Sequence, residues 1–318
     1  MMRDLVPRIA DFLDEPMGDS SFIPCYLLAR FAREWVTVAL GGDGGDELLA
    51  GYSTMQAHRL AGIYNRVPAV LRNGVIGPLV GRLPVSHNNL SLDFRAKRFV
   101  ASAALPPVER HHRWLGSFAP EEKVALLRPE VRSEMEGDAF AVARSHYERC
   151  GAEDPLNRIL YTDLKLYMDT DILTKVDRSS MASSLEARVP FLNQVVLEVA
   201  AQMPLEMKLR GFTRKHVLRR IMKGVLPDRI VKRSKKGFNI PVAKWFRNEL
   251  KPLLQDSLAE SKIVRQGLFE PAAVSTMLDE HFSGRRDNRK HLWTLLIFQL
   301  WYDRWFAPSA RPAEAALT

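Results

Sequence analysis

The hydrophobic period of this chain changes twice within its first sixty residues. From Ile23 to Trp35 apolar positions recur at helical spacing, and Val36-Thr37-Val38-Ala39-Leu40 is then a run of β-formers. Four glycines and two aspartates follow in Gly41-Gly42-Asp43-Gly44-Gly45-Asp46, and a second helix is predicted from about Asp46 to Ala61. The pattern is helix, strand, glycine loop, helix. Residues 62–120 are rich in Pro, Gly, His and Arg and predict short helices and loops. From Glu121 helical spacing dominates. Helices are expected over Leu156 to Met168 and, after a short break, Asp169 to Ser184. A turn is expected over Arg188-Val189-Pro190-Phe191-Leu192, and further helices over Gln194 to Met203, Thr213 to Lys223 and Val242 to Leu258. The last helix carries Leu292, Trp293, Leu296, Phe298, Leu300 and Trp301, and its stripe of Trp293, Trp301 and Trp305 predicts a core face. The fold class is therefore α/β and predominantly helical. A parallel strand hides both faces and both edges, so the strand at 36–40 needs neighbours that the pattern barely supplies.

Composition narrows the function classes. With 318 residues and 46% apolar content the chain can bury a real core. Its net charge is +9, densest at Arg214-Lys215-His216 with Arg219-Arg220, at Lys232-Arg233 with Lys235-Lys236, and at Arg285-Arg286 with Arg289-Lys290. Acidic residues are interspersed and aromatics are sparse around these patches, so neither a nucleic-acid nor a membrane partner is expected. Cys25 and Cys150 match no metal spacing and build no disulfide framework. Met1 to Glu15 carries Asp4, Asp11 and Asp14 and no apolar core of a signal peptide, so a cytoplasmic location is expected.

The glycine loop holds the candidate chemistry. Glycines let a ligand approach the backbone, and a helix N-terminus attracts anions. A plain phosphate cradle adds a lysine; this loop has Asp43, Asp46 and Glu47 instead. Three carboxylates would repel a phosphate unless a cation lay between them. Mg²⁺ fits, because it takes one or two carboxylates and shares its other positions with substrate phosphates; a cationic amine is the other natural occupant.

The same residues carry a family resemblance. Gly41 to Tyr52 resembles the S-G-[DE]-G-[SG]-D-E-x-x-x-G-Y signature of the asparagine synthetase synthetase domain, in the ATP-pyrophosphatase superfamily. Leu13-Asp14-Glu15-Pro16 with Asp19-Ser20-Ser21 resembles its D-E-P-x-x-D-x-S. Asp171 to Met181 resembles its L-x-K-x-D-R-x-S-M, and Leu185 to Leu192 its L-E-x-R-x-P-F-L. Lys215 to Arg219 resembles its K-x-x-L-R, and Lys236-Gly237-Phe238 with Pro241 and Trp245 its K-G-F-x-x-P-x-x-x-W.

The resemblance implies an ATP-dependent, glutamine-hydrolysing amide ligase that adenylates a carboxylate and lets ammonia attack the acyl-adenylate. ATP and Mg²⁺ are the implied cofactors, aspartate the default acceptor, and a glutaminase domain or other ammonia source is supplied elsewhere; a homodimer is also expected. Asp46 would hold Mg²⁺, Asp43 would lie near acceptor and ammonia, and Lys215 would neutralise charge on the phosphates. Gly41 and Gly42, with Gly44, Gly45 and Glu47, would line the substrate and nucleotide side. Lys175 and Arg178 either line the site or form a helix-surface ion network with Asp171 and Asp177. Lys236 either belongs to a basic flap over the nucleotide or to a solvated loop. Glu186 and Arg188 are read as a structural salt bridge, and His111-His112 as loop decoration.

The resemblance implies a truncated adenine-nucleotide-hydrolase-like (Rossmann-like) layer whose tail is residues 1–61, followed by a helical remainder at 62–318. The S-G-G-x-D-S pyrophosphate loop and the cysteine-initiated glutaminase are absent from the sequence. The expectation is an N-terminally truncated synthetase, inactive alone. The alternative is a non-catalytic partner subunit or remnant related to an amidotransferase of another carboxylate, and Asn193, standing where an aspartate is usual after P-F-L, leaves the acceptor open.

Overall fold

The computed structural model describes residues 2–88, 91–135, 137–233, 237–238 and 240–306, so Lys236 lies outside the described residues. Helix α1 (Phe22–Arg33) forms where predicted and buries Phe22, Ile23 and Ala29. Strand β1 (Val38–Leu40) leads into the glycine loop. Helices α2 (Gly45–Leu48), α3 (Ser53–Tyr64), α4 (69–81), α5 (Leu92–Ser102) and α6 (Pro107–Leu115) follow. A long helix α7 (155–181) precedes strand β2 (Glu186–Arg188). A two-strand hairpin, β3 (Leu209–Arg210) and β4 (Thr213–Arg214), then feeds α8 (His216–Ile221), and α9 (Arg289–Trp305) closes the described chain.

Among the described residues strand β1 has one neighbour. It pairs in parallel with β2, Val38 opposite Glu186, Ala39 opposite Ala187 and Leu40 opposite Arg188. The turn expected at Arg188 is thus partly a strand. Three residues of Glu-Ala-Arg carry no β periodicity, so only the pairing reveals it. The Glu186–Arg188 salt bridge is present at 2.7 Å and lies on the surface. On β1, Val38 and Leu40 remain 38% and 74% exposed, beside Trp35 at 77%.

Five predicted helices differ from those observed. The helix over Asp46 to Ala61 is broken between Leu48 and Ser53, where Ala50 takes φ +53°. The break expected near Asp169 is absent: α7 is unbroken and widens to i→i+5 hydrogen bonding over Asp163–Leu173. It starts on Asp154, whose carboxylate accepts from the Leu156 and Asn157 amides, with Pro155 in the first turn. The helix over Thr213 to Lys223 begins late, because β4 occupies its start and Lys215 sits at φ +51°. The one over Val242 to Leu258 is split at Asn248, between Val242–Arg247 and Lys251–Ser257.

The largest core joins the two ends of the chain. Val6, Ile9, Leu13, Phe22 and Ile23 pack with Phe246, Leu254, Leu292, Trp293 and Leu296. The tryptophan stripe only partly serves that core. Trp293 is buried, but Trp305 is half exposed, and Trp301 and Trp305 donate their indole N–H groups to the Asp14 and Leu13 carbonyls at 3.0 and 3.3 Å. Those two rings clamp the N-terminal segment that carries Asp19. A smaller cluster, Leu48, Leu49 and Ala200 with Phe191, Val217 and Leu218, seats α2 and α8 side by side.

Candidate active site

The loop after β1 is tied to β2 by the Gly41 amide, which donates to the Arg188 carbonyl at 2.7 Å. A Cβ on Gly41 would lie 2.8 Å from Asp43 Oδ2, so the missing side chain is the space into which the Asp43 carboxylate folds. Gly42 faces open space. Gly44 takes φ +87°, and a Cβ there would meet Leu192 Cδ2 at 2.5 Å, while Gly45 backs onto the Phe191 ring. Gly44 and Gly45 therefore set the turn and its packing on Phe191-Leu192, and Gly41 and Gly42 are the members at the open side.

Asp46, in the first turn of α2, meets Lys215 Nζ at 2.9 Å from its Oδ1, with the carboxylate side chain 11% exposed. Lys215 comes from the far side of the fold. Its own amide donates to the Leu49 carbonyl at 3.1 Å, and Arg214 Nη1 donates to the Gly51 carbonyl at 2.9 Å, so the β3–β4 hairpin is strapped to the loop. Gly51 makes the pairing sterically possible. A Cβ there would lie 1.8 Å from Asp46 Oδ1 and 2.4 Å from Lys215 Cε. Glu47 points inward instead: it is 1% exposed and accepts from the Tyr52 hydroxyl, and burial raises its carboxyl above the ordinary range despite that bond.

A second charged group lies beside the first. Lys175, on α7, meets Asp19 Oδ2 at 2.6 Å and Asp171 Oδ1 at 3.7 Å. Ser21 donates to Asp19 through both its amide and its hydroxyl at 2.8 Å. Burial pushes the nearby Cys25 thiol up to about 11, with Lys175 lowering it and Asp19 and Asp43 raising it further. Lys175 is buried and forms ion pairs with Asp19 and Asp171, an arrangement compatible with both readings left open for it. Arg178 is engaged elsewhere, its guanidinium on Asp14 at 2.6 and 3.2 Å and on Asp177 at 2.9 Å, at the exposed surface.

Burial raises Asp171 to about 7, and the neighbouring Asp19 charge adds to this. For a carboxyl raised in the folded state, stability is fully present below the unfolded value of 3.8 and declines as pH climbs to about 7. Asp171→Asn, neutral in both states, is therefore expected to gain little near pH 4, progressively more up to pH 7, and a constant amount above. Thermal melts across that range check it; a gain independent of pH would refute it.

Sequence reasoning assigned no role to Gly51, Tyr52 or Asp19, although all three stand inside the quoted motifs, and it named Asp171 only as an ion partner of Lys175. His111 was expected on a loop. It is fully buried in α6, with Nε2 2.8 Å from Asp163 Oδ1 and Nδ1 3.0 Å from His58 Nε2, while Arg110 Nε donates to His58 Nδ1 at 3.2 Å. Burial, then the neighbouring His111 and Arg110, hold His58 far below the usual histidine range, so it is neutral. This buried chain of polar groups supports α7 from behind at the start of its widened stretch.

With that geometry in view, comparison with known proteins is direct. The asparagine synthase family model matches residues 1–303. The chain belongs to the asparagine synthase family. It is 30% identical to asparagine synthetase [glutamine-hydrolyzing] 1 of Bacillus subtilis, over 93% of this chain and 45% of that protein. It is 34% identical to a putative asparagine synthetase [glutamine-hydrolyzing] of Mycobacterium bovis, over 93% of this chain and 44% of that one. A more distant relative, amidase chry2 of Gibberella zeae, is 21% identical over 88% of this chain and 44% of its own length. The chain thus spans less than half the length of these relatives.

Proposed function

We propose that this chain carries the acceptor-side part of an ATP-dependent amide-forming ligase, of the glutamine-hydrolysing asparagine synthase type, acting through an acyl-adenylate. The observation that carries the reading is the Asp46–Lys215 pair, closed over Gly51 at the N-terminus of α2 and flanked by Asp43. An acceptor carboxylate oxygen attacks the α-phosphorus of ATP and pyrophosphate leaves. Ammonia then attacks the acyl carbon, AMP departs, and the nitrogen loses its proton. Lys215 offers a positive charge that can move from Asp46 to phosphate oxygens as negative charge develops there. Asp43, folded toward Gly41 at the loop's open side, faces the acceptor and the incoming amine.

Asp46 supplies a hard oxygen donor suited to Mg²⁺, with Asp43 on the same loop. Among the described residues no group of three or more His, Cys, Asp or Glu is placed to hold a metal, which fits an ion that takes most of its coordination from substrate and water. When bound, Mg²⁺ would supply charge neutralisation on the pyrophosphate.

The 318 residues contain no S-G-G-x-D-S loop. We place that loop on a further part that adds strands to the exposed edge of β1, where Trp35, Val38 and Leu40 are uncovered. Aspartate is the default acceptor and the cytoplasm the expected setting. ATP–pyrophosphate exchange tests the reading. The 318-residue chain alone should give no exchange and no amide from ATP, ammonia and aspartate, whereas a chain joined to a loop-bearing upstream half should exchange with one amino-acid carboxylate. If the joined form exchanges with none, the ligase reading falls, and a non-catalytic subunit of the same family takes its place.

A further inference from the structure

The helical run α4 is made of Ala69–Leu71, Arg72–Ile76 and Gly77–Gly81, and none of its residues is buried. Its outer side is apolar. Val70 is 82% exposed, Leu71 49%, Val75 47% and Leu79 59%, and Leu92, at the start of the adjoining α5, is 69% exposed. Within the run, Leu71, Val75 and Leu79 recur every four residues, with Val70 five before Val75, a spacing that keeps one face of a run widened over Arg72–Ile76. A side chain built on Gly74 or Gly81 would meet nothing within 4 Å, so the face is also bare of backbone neighbours.

The charge around this face has one sign. No aspartate or glutamate occurs between Glu47 and Asp93, while Arg59, Arg66, Arg72 and Arg82 do. Arg66, Arg82 and Arg95 are exposed, and Asp93 is buried and turned inward, accepting from the Ser86 amide. The run is held to the body from its other side: Asn65 bridges Arg72 Nη1 and the Ala103 carbonyl, and Lys97 Nζ donates to the Leu83 carbonyl at 2.8 Å.

We propose that α4 is an interfacial helix that docks the chain on an anionic lipid surface. An apolar stripe with a rim of arginines is the arrangement that enters the headgroup boundary, since the arginine stems lie along the acyl region and their heads reach the phosphates. A second copy of the same face would bring arginines against arginines, so charge complementarity favours lipid over self-association. No described helix is long and apolar enough to cross a membrane, and lying in its surface needs neither length nor high hydrophobicity. The inference departs from the expectation of no membrane partner and stands independently of the ligase reading.

Vesicle sedimentation decides it. The full chain should pellet with phosphatidylcholine vesicles containing phosphatidylglycerol, far less with pure phosphatidylcholine, and be released by salt. Val75→Asp with Leu79→Asp, both exposed and expected to leave the melting temperature unchanged, should weaken binding at least about tenfold. Arg66→Gln with Arg82→Gln should reduce the salt dependence. Failure to pellet with anionic vesicles at low salt would overturn the proposal. So would anionic binding indifferent to the aspartate substitutions, or a self-associated chain that those substitutions turn into monomer.

Discussion

Gly51→Ala is expected to abolish measurable ATP–pyrophosphate exchange in the complete enzyme, a fall of at least about a hundredfold. The cause is local. The new methyl would lie 1.8 Å from Asp46 Oδ1 and 2.4 Å from Lys215 Cε, well inside contact distance, and one of the two charges must move. Their backbones are held, so the side chains must turn aside and the pair must open. Asp46 is fixed in α2, whose Leu48 packs into a small core with Leu49 and Ala200. Lys215 is pinned by its amide on the Leu49 carbonyl and by its left-handed backbone at φ +51°. The collision should also cost about 1–3 kcal/mol of stability, as overpacked sites do. Two readouts separate the effects: melting reports the packing cost, and exchange at a temperature where the variant is folded reports the site. If the pair is the working unit, Lys215→Met added to Gly51→Ala should cost little more than either alone. Wild-type exchange in Gly51→Ala would remove the Asp46–Lys215 pair from the account.

That glycine also shows where sequence reading stops. The strand, the loop and the carboxylates were legible because β-formers, glycines and acids are local signals. The break between α2 and α3 was not, because Leu49-Ala50-Gly51-Tyr52 keeps helical spacing while a lysine distant in sequence fixes its shape. The short strand β2 was missed for a similar reason, since Glu-Ala-Arg becomes a strand only when β1 lies alongside it. At Lys215 the positive φ is imposed by the loop to which it is strapped, and helix propensity alone extended α8 backward through the hairpin. His111 looked like decoration because its partners, His58 and Asp163, are each more than fifty residues away. The motif matches pointed to the glycine loop and to Lys215, which the structure brings together. They were silent on which members of different motifs face each other, and so left Asp19 without a role until Lys175 brought it together with Asp171.

Lys175→Met should cause the largest loss of stability of any single change at this site, about 3–5 kcal/mol, because it removes one cation from between two buried carboxylates. Lys175 is 8% exposed at its side chain, Asp19 21% and Asp171 28%, so water can do little to replace the lost charge. The pH dependence carries the stronger test. In the wild type, burial pushes Asp19 up, but Lys175 and the two Ser21 bonds outweigh it, and the carboxyl ends below its ordinary value. A depressed carboxyl contributes stability that is present above the unfolded value of 3.8 and lost as pH falls through the folded one. Without Lys175 burial prevails, Asp19 rises, and the sign reverses, so the variant loses stability as pH increases. The gap between the two proteins should be widest near neutrality and narrow as pH falls, closing only once pH drops below the depressed wild-type value of Asp19. Asp19→Asn placed in the Lys175→Met background should recover part of the deficit at pH 7 and none at pH 3. A deficit that stays constant with pH would mean that Lys175 acts through the packing of its stem, with its charge irrelevant to the fold.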